Sequence, residues 1–63
     1  MDQDKESIDA AYADTLKNLY KVMLSSYVAA DGNKPLEKKA DDSFKAGLTM
    51  AKKVRDRAFA LLA

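Results

Sequence analysis

Apolar residues recur along the first half of the chain at the spacing of an α-helix. They lie four, four, three, four and four positions apart, at Ile8, Tyr12, Leu16, Leu19, Met23 and Tyr27. Because a helix turns once every 3.6 residues, this spacing keeps all of them on one face. Tyr20, Leu24 and Val28 widen that face on one side, and Val22 widens it on the other. We therefore predict a first helix over about residues 4–30, with an apolar arc broader than one partner helix can cover.

The second half of the chain repeats the helical pattern with smaller side chains. Its seam alternates by four and three positions, which is a heptad repeat, at Ala40, Phe44, Gly47, Ala51, Val54, Ala58 and Leu61. Small residues let another helix approach closely, and the larger side chains of the first helix can fill the space. Glycine costs roughly 1 kcal/mol in a helix relative to alanine, so Gly47 either serves this packing or is simply tolerated. We predict a second helix over about residues 35–62.

A single turn separates the two patterns at residues 31–34. Gly32 suits the left-handed conformation that closes a helix, and Asn33 can cap the next helix. Pro35 is tolerated in a first turn, and Glu37 complements the positive end of the helix dipole there. Helices of similar length joined by a short turn favour an antiparallel arrangement. The sequence thus predicts an all-α fold, with residues 1–63 forming one two-helix hairpin domain.

A chain of 63 residues is short for a stable monomer. A domain of about 60 residues buries only about 60% of the surface that its unfolded chain exposes, and such domains usually need further support. Cysteine and histidine are absent, which excludes disulfides and most transition-metal sites. We therefore expect two hairpins to pair into a four-helix bundle. The residues predicted to contact the second copy, or another protein's helix, are Tyr12, Leu16, Tyr20, Leu24, Tyr27, Phe44, Leu48 and Ala51.

Composition and charge narrow the function further. The net charge of +1 gives no global attraction to nucleic acid or membranes, and no apolar run approaches the roughly 20 residues that span a bilayer. Without histidine or cysteine there is no conventional catalytic triad or thiol nucleophile, and the carboxylates are scattered. We expect no enzymatic activity, no cofactor and no small-molecule substrate. The acidic, polar start is unlike a secretory signal, so we expect a cytoplasmic protein of a bacterium or phage.

Two functions remain open. The first is a non-enzymatic protein-interaction module of the adaptor, regulator or co-chaperone type, which pairs with itself, with a partner helix or with both. The alternative is a small dimeric nucleic-acid-binding regulator, in which a line of basic side chains contacts phosphates. The residues predicted for that line and its continuation are Lys38, Lys45, Lys52, Lys53 and Arg55. Aspartates interrupt the line, and charge runs on helices are usually solvated faces.

Overall fold

Two α-helices make up the hairpin. The computed structural model describes the backbone of residues 2–63 and the side chains of residues 3–63, and Met1, the first residue of the predicted domain, lies outside them. Helix α1 is Asp2–Ala30 and helix α2 is Lys34–Leu62. Both begin slightly earlier than the sequence pattern indicates. The two helices pack against each other, which confirms the predicted all-α hairpin.

The turn is built by three residues with distinct backbone roles. Gly32 has the expected positive φ of 81°, but the left-handed conformation already begins at Asp31, with φ 48°. Aspartate is one of the few residues other than glycine that visit this region. The Asn33 side-chain oxygen then accepts from the backbone N–H of Leu36 at 3.1 Å and caps α2 as predicted. The chain therefore reverses in a short space, and the N–H of Leu36 at the start of α2 has a partner.

The predicted inward face of α1 is confirmed. The six residues from Ile8 to Tyr27 that define it are all partly buried, and Ala30, which continues the face, is buried. On the flanks, Tyr20, Val22, Leu24 and Val28 each remain more than half exposed. The apolar arc of α1 is therefore wider than α2 covers, as its sequence indicates.

The predicted seam of α2 is correct near the turn, but towards the open end it holds for Ala58, which is partly buried, and not for Val54 and Leu61. Along its seven-residue line, Ala40 is 7% exposed and Gly47 is half-buried, but Val54 and Leu61 are 59% and 68% exposed. A straight α-helix drifts by about 20° per heptad relative to a strict seven-residue repeat. Because α1 is the sole neighbour, the seven-residue line of α2 gradually rotates away from α1. Residues on the other side of the contact, Leu48, Arg55 and Phe59, are partly buried.

Gly47 packs against Leu19 of α1 in the middle of the hairpin. A Cβ atom added to it would lie 2.6 Å from Cδ2 of Leu19, well inside van der Waals contact. The Leu19 side chain therefore occupies the space that a larger residue at position 47 would need. Of the two explanations for this glycine, the structure supports packing.

The hairpin is one helix thick. Its Cα atoms extend over 46 × 15 × 7 Å, and their radius of gyration is 14.7 Å, against about 11 Å for a compact domain of this length. Among the side chains that the structure describes, Ala30 and Ala40 are the buried apolar ones. Each helix has one neighbour, so most large side chains keep one side in solvent.

Replacement of Gly47 by alanine tests the close approach. The added methyl group must displace the flexible end of the Leu19 side chain, and we expect the cost to offset the gain of about 1 kcal/mol in helix propensity. We expect Gly47→Ala to leave the free energy of unfolding unchanged or to lower it. In a Leu19→Ala background the same substitution should stabilise by about 1 kcal/mol, because the obstructing side chain is gone.

Chemical denaturation of the four chains in this double-mutant cycle measures the coupling. The exposed neighbour Ala46, changed to glycine, calibrates helix propensity alone and should cost about 1 kcal/mol. If Gly47→Ala stabilises both backgrounds by the full propensity term, Leu19 does not require the glycine.

Candidate interaction surfaces

One broad side of the hairpin is an apolar, furrowed surface that we call the grooved face. Its residues repeat every seven positions on both helices, so each series keeps to one side of its helix. On α1 they are Ile8, Thr15, Val22 and Ala29, and on α2 they are Leu36, Ser43 and Met50 together with Gly47, Val54 and Leu61. Except for Ile8 and Gly47, which are half-buried, all are exposed.

In the part of the chain that the structure describes, grooves run along this face between the helices. The largest, about 500 Å³, lies in the half towards the open end and is bordered by Thr15, Met50 and Val54. Nearer the turn, a groove of about 300 Å³ lies between Ala29 and Leu36. A small hollow of about 50 Å³ beside Val22 lies between them along the hairpin. The linings are mostly alanine, serine, glycine and larger aliphatic side chains, which leave room for the side chains of another helix.

The opposite side, which we call the tyrosine face, carries Tyr20, Leu24 and Val28 on α1. It is joined to α2 by a hydrogen bond in which the Tyr27 hydroxyl donates to the Asp41 carboxylate. That hydrogen bond, together with burial and the negative charges of Asp41 and Glu37, raises the pKa of Tyr27 from 10.0 to about 12. Residues three, four or seven apart share a helix face, so this contact places the tyrosine flank of α1 beside Asp41 and its neighbours.

A second contact across the helices involves Arg55 and Tyr12. The guanidinium carbon of Arg55 lies 4.4 Å from the centre of the Tyr12 ring, within the range of a cation–π interaction. Its Nε and Nη2 also donate to Asp56 at 3.1 and 3.0 Å. The Arg55 side chain is only 28% exposed as a result. This arginine thus serves the packing of the open end, an arrangement that charge counting along the sequence does not reveal.

The residues predicted to form the partner interface fall into two groups. Those that the structure places in the seam between α1 and α2, where they are partly buried, are Tyr12, Leu16, Tyr27, Phe44, Leu48 and Ala51. Tyr20 and Leu24 lie outside the seam and are open to a partner. The predicted set omits the exposed apolar residues of the grooved face, although the heptad spacing of Val54 and Leu61 signals them. Whether any of these residues contacts a partner remains a prediction.

The basic residues are distributed over several environments. Lys38, Lys45 and Lys52 are exposed and recur every seven residues along α2. Lys38 contacts Asp42 at 3.2 Å, which reduces the positive charge that a phosphate would meet there. Lys53 is exposed, whereas Arg55 is engaged with Tyr12 and Asp56. Phosphate binding by this set remains a prediction with weaker support than the apolar surface has.

Residues 2–63 contain no group of three acidic, histidine or cysteine side chains arranged to hold a metal ion. In the same part of the chain, neither helix has the length and apolar character needed to cross a membrane. No protein-family model, no curated protein and no solved structure matches the sequence. The function therefore has to be inferred from the two faces themselves.

The hydrogen bond between Tyr27 and Asp41 predicts how stability depends on pH. Because folding raises the pKa of Tyr27, the protonated phenol stabilises the hairpin fully below pH 10, and this contribution is lost as the pH rises through about 12. We expect Tyr27→Phe to unfold more readily than the wild type at neutral pH, with the difference shrinking between pH 10 and 12.

Absorbance titration of the phenolates checks the assignment directly. The wild type should show an ionisation near pH 12 that is missing from Tyr27→Phe. If the ionisation that Tyr27→Phe removes lies near pH 10 instead, the phenol of Tyr27 is not held by Asp41.

Proposed function

We propose that this chain is a non-enzymatic protein-interaction module that self-associates, two hairpins packing into a four-helix bundle. Such a bundle suits an adaptor, a small regulator or a co-chaperone, whose work is done by surfaces. The observation that supports the proposal is the amount of apolar surface that the single hairpin leaves uncovered.

The accessible surface of one chain is too large for a compact monomer of its mass. The hairpin exposes 5023 Å², whereas a folded monomer of 6.9 kDa exposes about 4,000 Å². The excess is about 1,000 Å² per chain. A hairpin that stayed alone would keep that surface in water, where each apolar Å² forgoes about 25 cal/mol of stabilisation.

Pairing would bring the exposed surface of the two chains into the range of compact proteins of their joint mass. Two chains would reach the surface of a compact protein of their joint mass by burying about 3,400 Å² in total. Obligate homodimers bury roughly 2,000–5,000 Å², and their interfaces resemble a domain core cut in half. A dimer of this hairpin would therefore have an interface of ordinary size.

The exposed apolar residues recur along both broad sides of the hairpin, which distinguishes them from the singly scattered hydrophobic residues of any protein surface. Both helices contribute, and the large side chains at least two-fifths exposed are Tyr20, Val22, Leu24, Val28, Leu36, Met50, Val54, Leu61 and Leu62. Domains are ordinarily built from two packed layers, and this hairpin supplies one. A second layer of helices is what the surface lacks.

Self-association is tested by the solution mass. Light scattering coupled to size exclusion, over a dilution series at two salt concentrations, should give twice the 6.9 kDa chain mass at the higher protein concentrations. Because apolar burial drives the pairing, added salt should not dissociate the dimer. A monomer at every concentration would contradict the proposal and leave the apolar surface for another protein.

A further inference from the structure

We infer that the second copy of the chain docks on the grooved face and leaves the tyrosine face free. This inference rests on the self-association proposed above and adds which surface carries it. Three observations distinguish the two sides of the hairpin: the direction of the heptad seam, the length of the apolar surface and the placement of charge.

The heptad seam of α2 points to the grooved face. Val54 and Leu61 lie on the seven-residue line that begins at the buried Ala40, yet α1 leaves them 59% and 68% exposed. In a four-helix bundle the heptad seams point towards the bundle axis, between the two hairpins, and not directly at one neighbour. The residues that leave the seam of the single hairpin are therefore those that a bundle would bury.

The grooved face carries exposed apolar side chains along most of the length that a dimer needs, although its series of Leu36, Ser43 and Met50 continues to the exposed Arg57. At 1.5 Å per residue, the distance along α2 from Leu36 to Leu61 is about 38 Å, most of the 46 Å length of the hairpin. The apolar flank of the tyrosine face, from Tyr20 to Val28, covers only about 12 Å. An interface of some 1,700 Å² per chain requires a surface that runs the length of the molecule, and the grooved face provides one.

The line of lysines on α2 lies on the other side. Lys38 and Lys45 flank Asp41 on α2, which Tyr27 joins to the tyrosine face, and Lys52 continues the line. Two copies meeting through that face would bring lysines together or remove their charges from water, and both outcomes cost free energy. Among the residues that the structure describes, the charged one bordering the largest groove is Arg55, already engaged with Tyr12 and Asp56, and Lys39 borders the groove nearer the turn. The part of the grooved face towards the open end is therefore the cheaper one to desolvate.

Two valines on α1 provide a matched test. Val22 on the grooved face is 62% exposed and Val28 on the tyrosine flank is 73% exposed, so lysine at either position can reach solvent in the single hairpin. We expect Val22→Lys to weaken dimerisation by about tenfold or more, because a two-fold interface contains the new charge twice. Val28→Lys should leave the dimer within about twofold of the wild type, since surface substitutions usually have small effects. Sedimentation equilibrium measures both dissociation constants.

Each outcome has a defined meaning. Dimerisation lost with Val28→Lys and kept with Val22→Lys would overturn the choice of face, while the proposed self-association would stand. Equal loss with both, or with neither, would also overturn it, because the second copy would then contact both faces or a different surface. A wild-type chain that stays monomeric would mean that the proposed function itself has failed.

A cysteine probe gives a second readout that does not depend on tolerating a charge. The chain has no cysteine, so Val54→Cys and Val28→Cys each carry one thiol, on the grooved face and on the tyrosine flank. The thiol at position 54 should react with a maleimide at least about tenfold more slowly at protein concentrations where the dimer forms than where it dissociates. The thiol at position 28 should react equally fast at both, and the reverse pattern would contradict the inference.

Discussion

Two helices side by side share one line of contact, and the rest of this structure depends on that restriction. A helix surface is a cylinder, and a single neighbour covers only the stripe that faces it. The partly buried residues of α1 fill that stripe, from Ile8 near the open end to Ala30 at the turn. Everything apolar outside it stays in contact with water, which is why many large hydrophobic side chains of the hairpin are exposed.

Along this line of contact the two helices pack closely. The absence of a side chain at Gly47 admits Leu19 deep between the helices, and the alanines of α2 keep the two backbones near each other. Two polar contacts join the helices. Tyr27 and Asp41 form one in the half nearer the turn, and Arg55 and Tyr12 form the other in the opposite half. Together they fix the register of the helices without adding a second layer. The missing layer is what a second hairpin supplies in the proposed bundle.

Local signals in the sequence were sufficient for the helices and their turn. The capping oxygen of Asn33, the positive φ of Gly32 and the four-three spacing on α1 each depend on a few neighbouring residues, so a pattern along the chain reveals them. The seam of α2 could not be placed the same way, because its direction depends on what the helix packs against. Near the turn, where α1 is present on that side, Ala40 is buried as predicted.

Towards the open end the same heptad spacing leaves Val54 and Leu61 in solvent. The sequence also did not predict that Arg55 packs against the Tyr12 ring. A basic residue near other basic residues on a helix is usually expected to be solvated. The sequence pattern therefore identifies the apolar residues. It does not show which of them lie in the hairpin's own seam and which lie on its outer faces. The seam residues that the structure leaves exposed, Val54 and Leu61, belong to the grooved face.

The most direct test of this account is the dependence of the thermal midpoint on protein concentration. If the second hairpin completes the core, folding and association are coupled, and Tm should rise steadily as the chain is concentrated. Circular dichroism over a hundredfold or wider concentration range would follow it. A Tm that stays constant over that range, in a chain that remains helical and monomeric, would show that the single hairpin is stable with its apolar faces in water.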